Sequence, residues 1–131
     1  MFQNLKIFQM SQAMAQHAAS RHAVVAQNVA NADTPNYKAK DLKSFATSYE
    51  LADQTIGLKA TRQGHVQNSG HNFSKTAQLQ SFTSQSESLD GNSVSLETEM
   101  VKSIEAQRQH DRAISIYKSS LTLLRSSLGR A

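Results

Sequence analysis

The run LETEMVKSIEAQRQHDRAISIYKSSLTLLRSSL, from Leu96 to Leu128, contains neither Gly nor Pro and decides how the chain is read. Leu96, Met100, Ser103, Gln107, His110, Ile114, Tyr117, Leu121, Leu124 and Leu128 alternate in steps of four and three, and the last five of them are apolar. That spacing predicts one long helix with a narrow apolar stripe, the pattern of a coiled-coil seam. Just before it, Asp90-Gly91-Asn92-Ser93 reads as a turn in which Asn92 or Ser93 caps the helix. Glu97 and Glu99 fall in the first turns, where carboxylates favour the helix dipole.

Working outward, the N-terminal part answers in kind. From Gln3 to Ala30 there is again no Gly or Pro, and Leu5, Phe8, Gln12, Ala15, Ala19, His22, Ala26 and Val29 keep the same three–four rhythm. Asn31 suits a left-handed cap at the end of this helix, and Pro35, the single proline, follows shortly after. Thr34-Pro35-Asn36-Tyr37 reads as a turn with Pro fixing φ at its second position and Asn accepting positive φ at its third. Each stripe alone leaves its seam in water, so the two helices are expected to pair. They pair antiparallel, because the middle of the chain returns it. The fold class expected is mainly α: an antiparallel coiled coil of terminal helices around a polar, partly irregular middle.

Three segments result: residues 1–40 with the first helix and its turn, a polar middle at 41–89, and residues 90–131 with the second helix, together one domain. Leu42, Phe45, Tyr49 and Leu51 suggest a short helix or an irregular packed segment after the turn. From Asp53 to Ser88 polar residues and Gly dominate, and Gly57 to Thr61 is at most a strand fragment. No sustained alternation supports a sheet, so this stretch reads as a flexible or partner-ordered loop.

Composition narrows function. Of 131 residues, 38% are hydrophobic, 6% aromatic and 18% charged. Such a chain has little with which to enclose a deep active site, yet too little charge for a disordered tail. Apolar positions off the shared seam, among them Ile7, Val24, Val101, Ile104 and Ile116, suit contacts with neighbouring chains. The net charge of +4 is mild. With no cysteine, disulfides and thiolate chemistry are excluded. No stretch reads as a signal peptide or a membrane span, so export, if it occurs, is expected by a route without a cleaved signal.

Searching for chemistry yields no catalytic, cofactor or metal site. His17 and His22 are five apart, off the i, i+4 spacing of a shared metal, and His65, His71 and His110 form no ligand set. Glu97 and Glu99, two apart, face different ways on a helix. No nucleophile elbow or phosphate-binding glycine loop occurs. Tyr37-Lys38-Ala39-Lys40-Asp41-Leu42-Lys43, followed by Phe45 and Tyr49, interleaves bases and aromatics. A small basic helical nucleic-acid-binding protein is therefore the alternative reading. Its bland counterpart is a turn whose aromatics pack on the preceding helix.

Two blocks carry a resemblance. Asn28-Val29-Ala30-Asn31-Ala32-Asp33-Thr34-Pro35-Asn36-Tyr37-Lys38 resembles the N-I-A-N-x-x-T-P-G-Y-K signature of bacterial flagellar rod and hook proteins, with Asn36 in place of the usual Gly. Leu89-Asp90-Gly91-Asn92-Ser93-Val94-Ser95-Leu96-Glu97-Thr98-Glu99 is similar to a segment of proximal-rod members of that family. The resemblance implies a structural subunit of the flagellar basal-body rod, in the periplasmic space if the cell is Gram-negative. It implies export by the flagellar type III apparatus and ordering of the terminal helices on assembly. It implies self-association and, as partners, other rod subunits, the ring-to-rod adaptor, and membrane-ring and export-gate proteins. No cofactor, small-molecule substrate or nucleic acid is expected. Leu5, Phe8, Val29, Ile114, Tyr117, Leu121, Leu124 and Leu128 are the expected assembly seam.

Overall fold

The computed structural model describes residues 2–54, 79–81 and 89–129. Helix α1 spans Phe2–Ala30, strand β1 Lys40–Leu42, helix α2 Phe45–Gln54, strand β2 Leu79–Ser81 and helix α3 Leu96–Ser127. The two long helices are antiparallel partners: Phe8 meets Tyr117 edge-on with ring centroids 5.2 Å apart, His22 lies 3.4 Å from Ser103, and Asn28 bonds Glu99 at 2.9 Å. Mainly helical architecture and paired termini are therefore as expected. The loop reading of residues 55–78 and 82–88, including the fragment at Gly57 to Thr61, lies outside the described residues.

The most deeply buried line between the helices lies beside the expected stripes, whose members still meet at Phe8–Tyr117 and His22–Ser103. On α1 the buried line is Ser11, Ala18 and Val25; on α3 it is Glu99, Ala106 and Ala113, each set in steps of seven. The expected stripe runs one residue further along, and one residue turns a helix by about 100°. Gln12, Ala19 and Ala26 are accordingly exposed, Val29 is 42% exposed, and Met100 is 66% exposed. Tyr117 and Leu128 are also exposed, whereas Phe8, Ile114, Leu121 and Leu124 are half-buried. Leu5 lies in α1, but its side chain is outside the described residues. The physical reason is distance. Ala and Ser let two helix axes approach closely, whereas Leu and Met in the seam would hold them apart.

Three further corrections concern ends and edges. Asn31 is not left-handed; Asn36, at φ 59°, is the one non-glycine residue with positive φ among those described. Helix α1 instead ends in a tightening turn, with Asn31 N–H shared between the carbonyls of Gln27 and Asn28 and Ala32 N–H donating to Val29. The cap of α3 is Ser95, whose hydroxyl accepts from Thr98 N–H, so neither Asn92 nor Ser93 fills that place. The polar middle also supplies a strand: β2 pairs antiparallel with β1, Leu42 opposite Leu79 and Lys40 opposite Ser81. Three-residue strands are too short to show alternation.

A second layer covers one side of α1. His17 stacks edge-on with Phe45 at 5.7 Å, Phe45 lies 5.6 Å from Tyr49, and both aromatics pack on buried Ala13. The aromatics after the turn thus pack on the preceding helix.

Candidate functional site

The Asn28–Lys38 and Leu89–Glu99 blocks, some 60 residues apart in sequence, fold into one polar clasp. The turn at Thr34 to Tyr37 closes with Tyr37 N–H donating to Thr34 C=O at 3.3 Å. Two backbone bonds then join the blocks: Asn36 N–H donates to Asp90 C=O and Ser93 N–H to Tyr37 C=O, both at 3.0 Å. Ala39 N–H donates to the Ser93 hydroxyl at 2.8 Å, and Lys38 Nζ to Gly91 C=O at 3.1 Å. Gly91 is required here. Its φ is +73°, and a Cβ would stand 2.6 Å from the Asn36 side-chain oxygen.

Asn92 ties down the turn that follows the opposite helix. Its side-chain amide donates to the carbonyls of Asn31, Ala32 and Thr34 at 3.0, 2.6 and 2.9 Å. Its oxygen accepts from Val94 N–H at 2.8 Å, which fixes the amide. Ala30 ends α1, and Ala32 and exposed Pro35 shape the turn that presents these carbonyls.

Asn28 is the centre of the clasp and is wholly buried. It donates to Lys40 C=O at 2.6 Å and to Glu99 Oε2 at 2.9 Å, and accepts from Lys40 N–H at 3.0 Å and Tyr37 OH at 3.3 Å. An Asn has two donors and one carbonyl oxygen, and each is used. Glu99, expected merely to complement the helix dipole, is 1% exposed and also receives Lys102 Nζ at 2.9 Å. From Lys102 the charges continue to Asp41 at 3.6 Å, on to Arg21 at 3.1 Å, and to Glu105, 3.4 Å from Arg21. Burial pushes the Asp41 carboxyl up, but the Arg21 bond, the Leu42 N–H and the charges of Arg21 and Lys102 outweigh it and hold the pKa below the usual value. Buried His17 donates its Nε2–H to Lys43 C=O at 2.8 Å, since a carbonyl can only accept. Burial, reinforced by the Arg21 charge, lowers its pKa despite that carbonyl and Asp41, so the ring stays neutral.

The second block's remaining members divide. Val94 is half-buried and Asp90 supplies its carbonyl, while Leu89 and Leu96 point outward. This arrangement holds backbone together; it presents no activated nucleophile or acid–base pair. Among the described residues no cluster of His, Asp or Glu is placed to hold a metal. The basic stretch cannot offer a stacking platform either, since Tyr37 belongs to the clasp and Phe45 and Tyr49 to the second layer. Periodicity could not reveal Asn28, Asn92 and Glu99 as a unit. The signal was the clustering of short polar residues where the helices stop.

The expected stripes reappear as walls of an open groove. Val25, Ala26, Val29 and Ala30 face Met100 and Ser103 across about 330 Å³, and a neighbouring groove of about 350 Å³ continues between Ala19 and His110.

Residues 10–38, which end in the turn, match a family model described as flagella basal body rod protein. The flagellar basal body rod protein FlgB of Agrobacterium fabrum is 32% identical over 120 residues, 89% of this chain and 88% of that one. This chain belongs to the FlgB family of flagellar rod proteins. The Aquifex aeolicus member is 38% identical over 85% of this chain and 84% of its own, and the Escherichia coli member 32% identical over 74% of each. The matches to these members span too much of the chain to rest on the first block alone.

Proposed function

We infer that the chain is a structural, non-enzymatic subunit of the bacterial flagellar basal-body rod, with the clasp locking its terminal helices into one stiff element. The observation that carries this reading is FlgB-family membership over most of the chain. A site built to bind backbone to backbone, rather than to bind a substrate, supports it. In this reading residues 1–40, 41–89 and 90–131 work together as one domain, and the protein is a component of the basal body. It assembles with other flagellar components. The finer assignment is proposed from the resemblance: copies of itself and other rod subunits beside it, the ring-to-rod adaptor, membrane-ring and export-gate proteins beneath it, and a position beyond the cytoplasmic membrane. Leu121, Leu124, Val29 and the other stripe residues left open by the seam are proposed to face those neighbours.

The test is genetic and compositional. Deleting the gene should abolish swimming and rods, and restoring it should return this chain to purified basal bodies, where mass spectrometry detects it. Normal swimming without the gene, or basal bodies lacking the chain, would overturn the reading. Among the described residues no observation favours nucleic-acid binding.

A further inference from the structure

We propose that Asp90 is a site of spontaneous modification: its link to Gly91 rearranges to the isoaspartyl form when the clasp opens, and the product cannot close the clasp again. This goes beyond the rod reading and stands without it. Asp90 is the one aspartate followed by glycine in the chain, and no asparagine is followed by glycine. The other aspartates precede Thr34, Leu42, Gln54 and Arg112, whose side chains crowd their own peptide nitrogens. Gly91 has no side chain to do so. Asp90 is exposed, and among the described residues the Gly91 N–H has no acceptor.

In the step itself the Gly91 nitrogen attacks the side-chain carboxyl carbon of Asp90. A C–N bond forms, the C–OH bond breaks, and the hydroxyl leaves with the amide proton as water. The succinimide then takes up water again. Opening at the side-chain carbonyl restores aspartate. Opening at the main-chain carbonyl routes the backbone through the side chain and leaves a free α-carboxylate. Water is the only co-reactant.

Ring closure needs rotation about the Asp90 Cα–C bond, which the clasp prevents. Asp90 C=O accepts from Asn36 N–H at 3.0 Å and Gly91 C=O from Lys38 Nζ at 3.1 Å, so both peptide groups are pinned. The reaction therefore belongs to local opening. The product misfits for the same reason. It lengthens the main chain by one carbon–carbon bond, about 1.5 Å. That is roughly three times the ~0.5 Å range over which N–H···O bonds form. It also takes out of the main chain the carbonyl that Asn36 holds. Only Gly91 and Asn92 lie between the anchors at Asp90 and Ser93, and both are themselves bonded, so no slack absorbs the extra atom.

The full chain is aged at neutral pH in buffer and in guanidinium chloride, then digested. Isomeric peptides containing residue 90 are separated and quantified by mass spectrometry, with enzymatic methylation of isoaspartyl carboxylates as a second readout. Isoaspartate should accumulate at position 90 ahead of the other aspartates, and several-fold faster in denaturant than in buffer. Asn28→Ala should raise the rate in buffer toward the denatured one, and Gly91→Ala should lower the rate in denaturant, where the clasp plays no part. Returned to buffer, aged chain should show an additional, earlier urea transition in its helical circular dichroism, with an amplitude that follows the isoaspartate content. Equal rates in buffer and denaturant, no preference for position 90, indifference to either substitution, or a single unchanged transition overturns the proposal.

Discussion

The same two helices are joined in two different ways at two places. At the clasp, Asn28, Asn92 and Glu99 are buried polar groups, each with several directional partners between 2.6 and 3.3 Å. Along the seam, Ala18, Ala106 and Ala113 are 1% exposed and contribute little but the absence of bulk. Close approach of two backbones gives dispersion without selecting a register, because one alanine resembles another. The clasp selects the register, because a misplaced buried amide or carboxylate loses its partners and cannot recover water. Attachment and specification are therefore separated in space.

Breaking the clasp should have the largest effect. Asn28→Ala takes one partner from Glu99 and removes those of the Lys40 peptide groups and the Tyr37 hydroxyl together, at a cost of about 3–5 kcal/mol. Urea unfolding followed by helical circular dichroism measures it, and a loss below about 1 kcal/mol would show that the clasp does not hold the pair. Next comes the seam. Ala106→Leu should cost about 1–3 kcal/mol by forcing the axes apart, whereas Met100→Ala, on the exposed stripe, should stay within about 0.5 kcal/mol. If the two variants behave alike in the same assay, the packed face has been misassigned.

A smaller effect separates strain from contact inside the clasp. Gly91→Ala should destabilise by about 1–2 kcal/mol through its positive φ and the approach to Asn36. Adding Asn36→Gly removes the contact but not the strain, so thermal melts should recover part of the loss and not all of it. Full recovery would mean that φ at position 91 costs nothing.

The smallest effect is the response to acid. The neutral ring of His17 has its pKa lowered in the fold, so below pH 6.5 the unfolded chain takes up the proton first and stability falls as pH drops. Asp41 acts further down: its depressed carboxyl contributes stability above the ordinary value of 3.8, which is lost as pH falls through its folded pKa. His17→Gln should flatten only the upper limb of a stability–pH curve and Asp41→Asn only the lower. A curve unchanged in both variants would place the titrating groups elsewhere.

Much of this fold was legible in the chain, for identifiable reasons. Both long helices follow from runs free of Gly and Pro, and the turn from Pro35 and Asn36, whose backbone preferences are local. The most deeply buried line was not legible. Hydrophobic periodicity weights Leu, Met and Val, so it selected Val29, Met100 and Leu128, while the seam depends on residues chosen for being small. Asn92 was misread for a related reason. A short polar residue ahead of a helix ordinarily caps that helix, and nothing local indicates that its amide reaches carbonyls 58 to 61 positions earlier. Asn28 and Glu99 were visible as members of two resemblances, but not as partners, because a hydrogen bond across 71 residues leaves no trace in spacing.

The alanine-lined seam has a mechanical corollary. Two helices faced with small side chains present a smooth, low-corrugation track, along which a shearing force meets few knobs to lift over. In a shaft that turns under load, resistance to slip between α1 and α3 then falls on the short, stiff bonds around Asn28 and Asn92, which act as a shear pin at one end of an otherwise sliding joint.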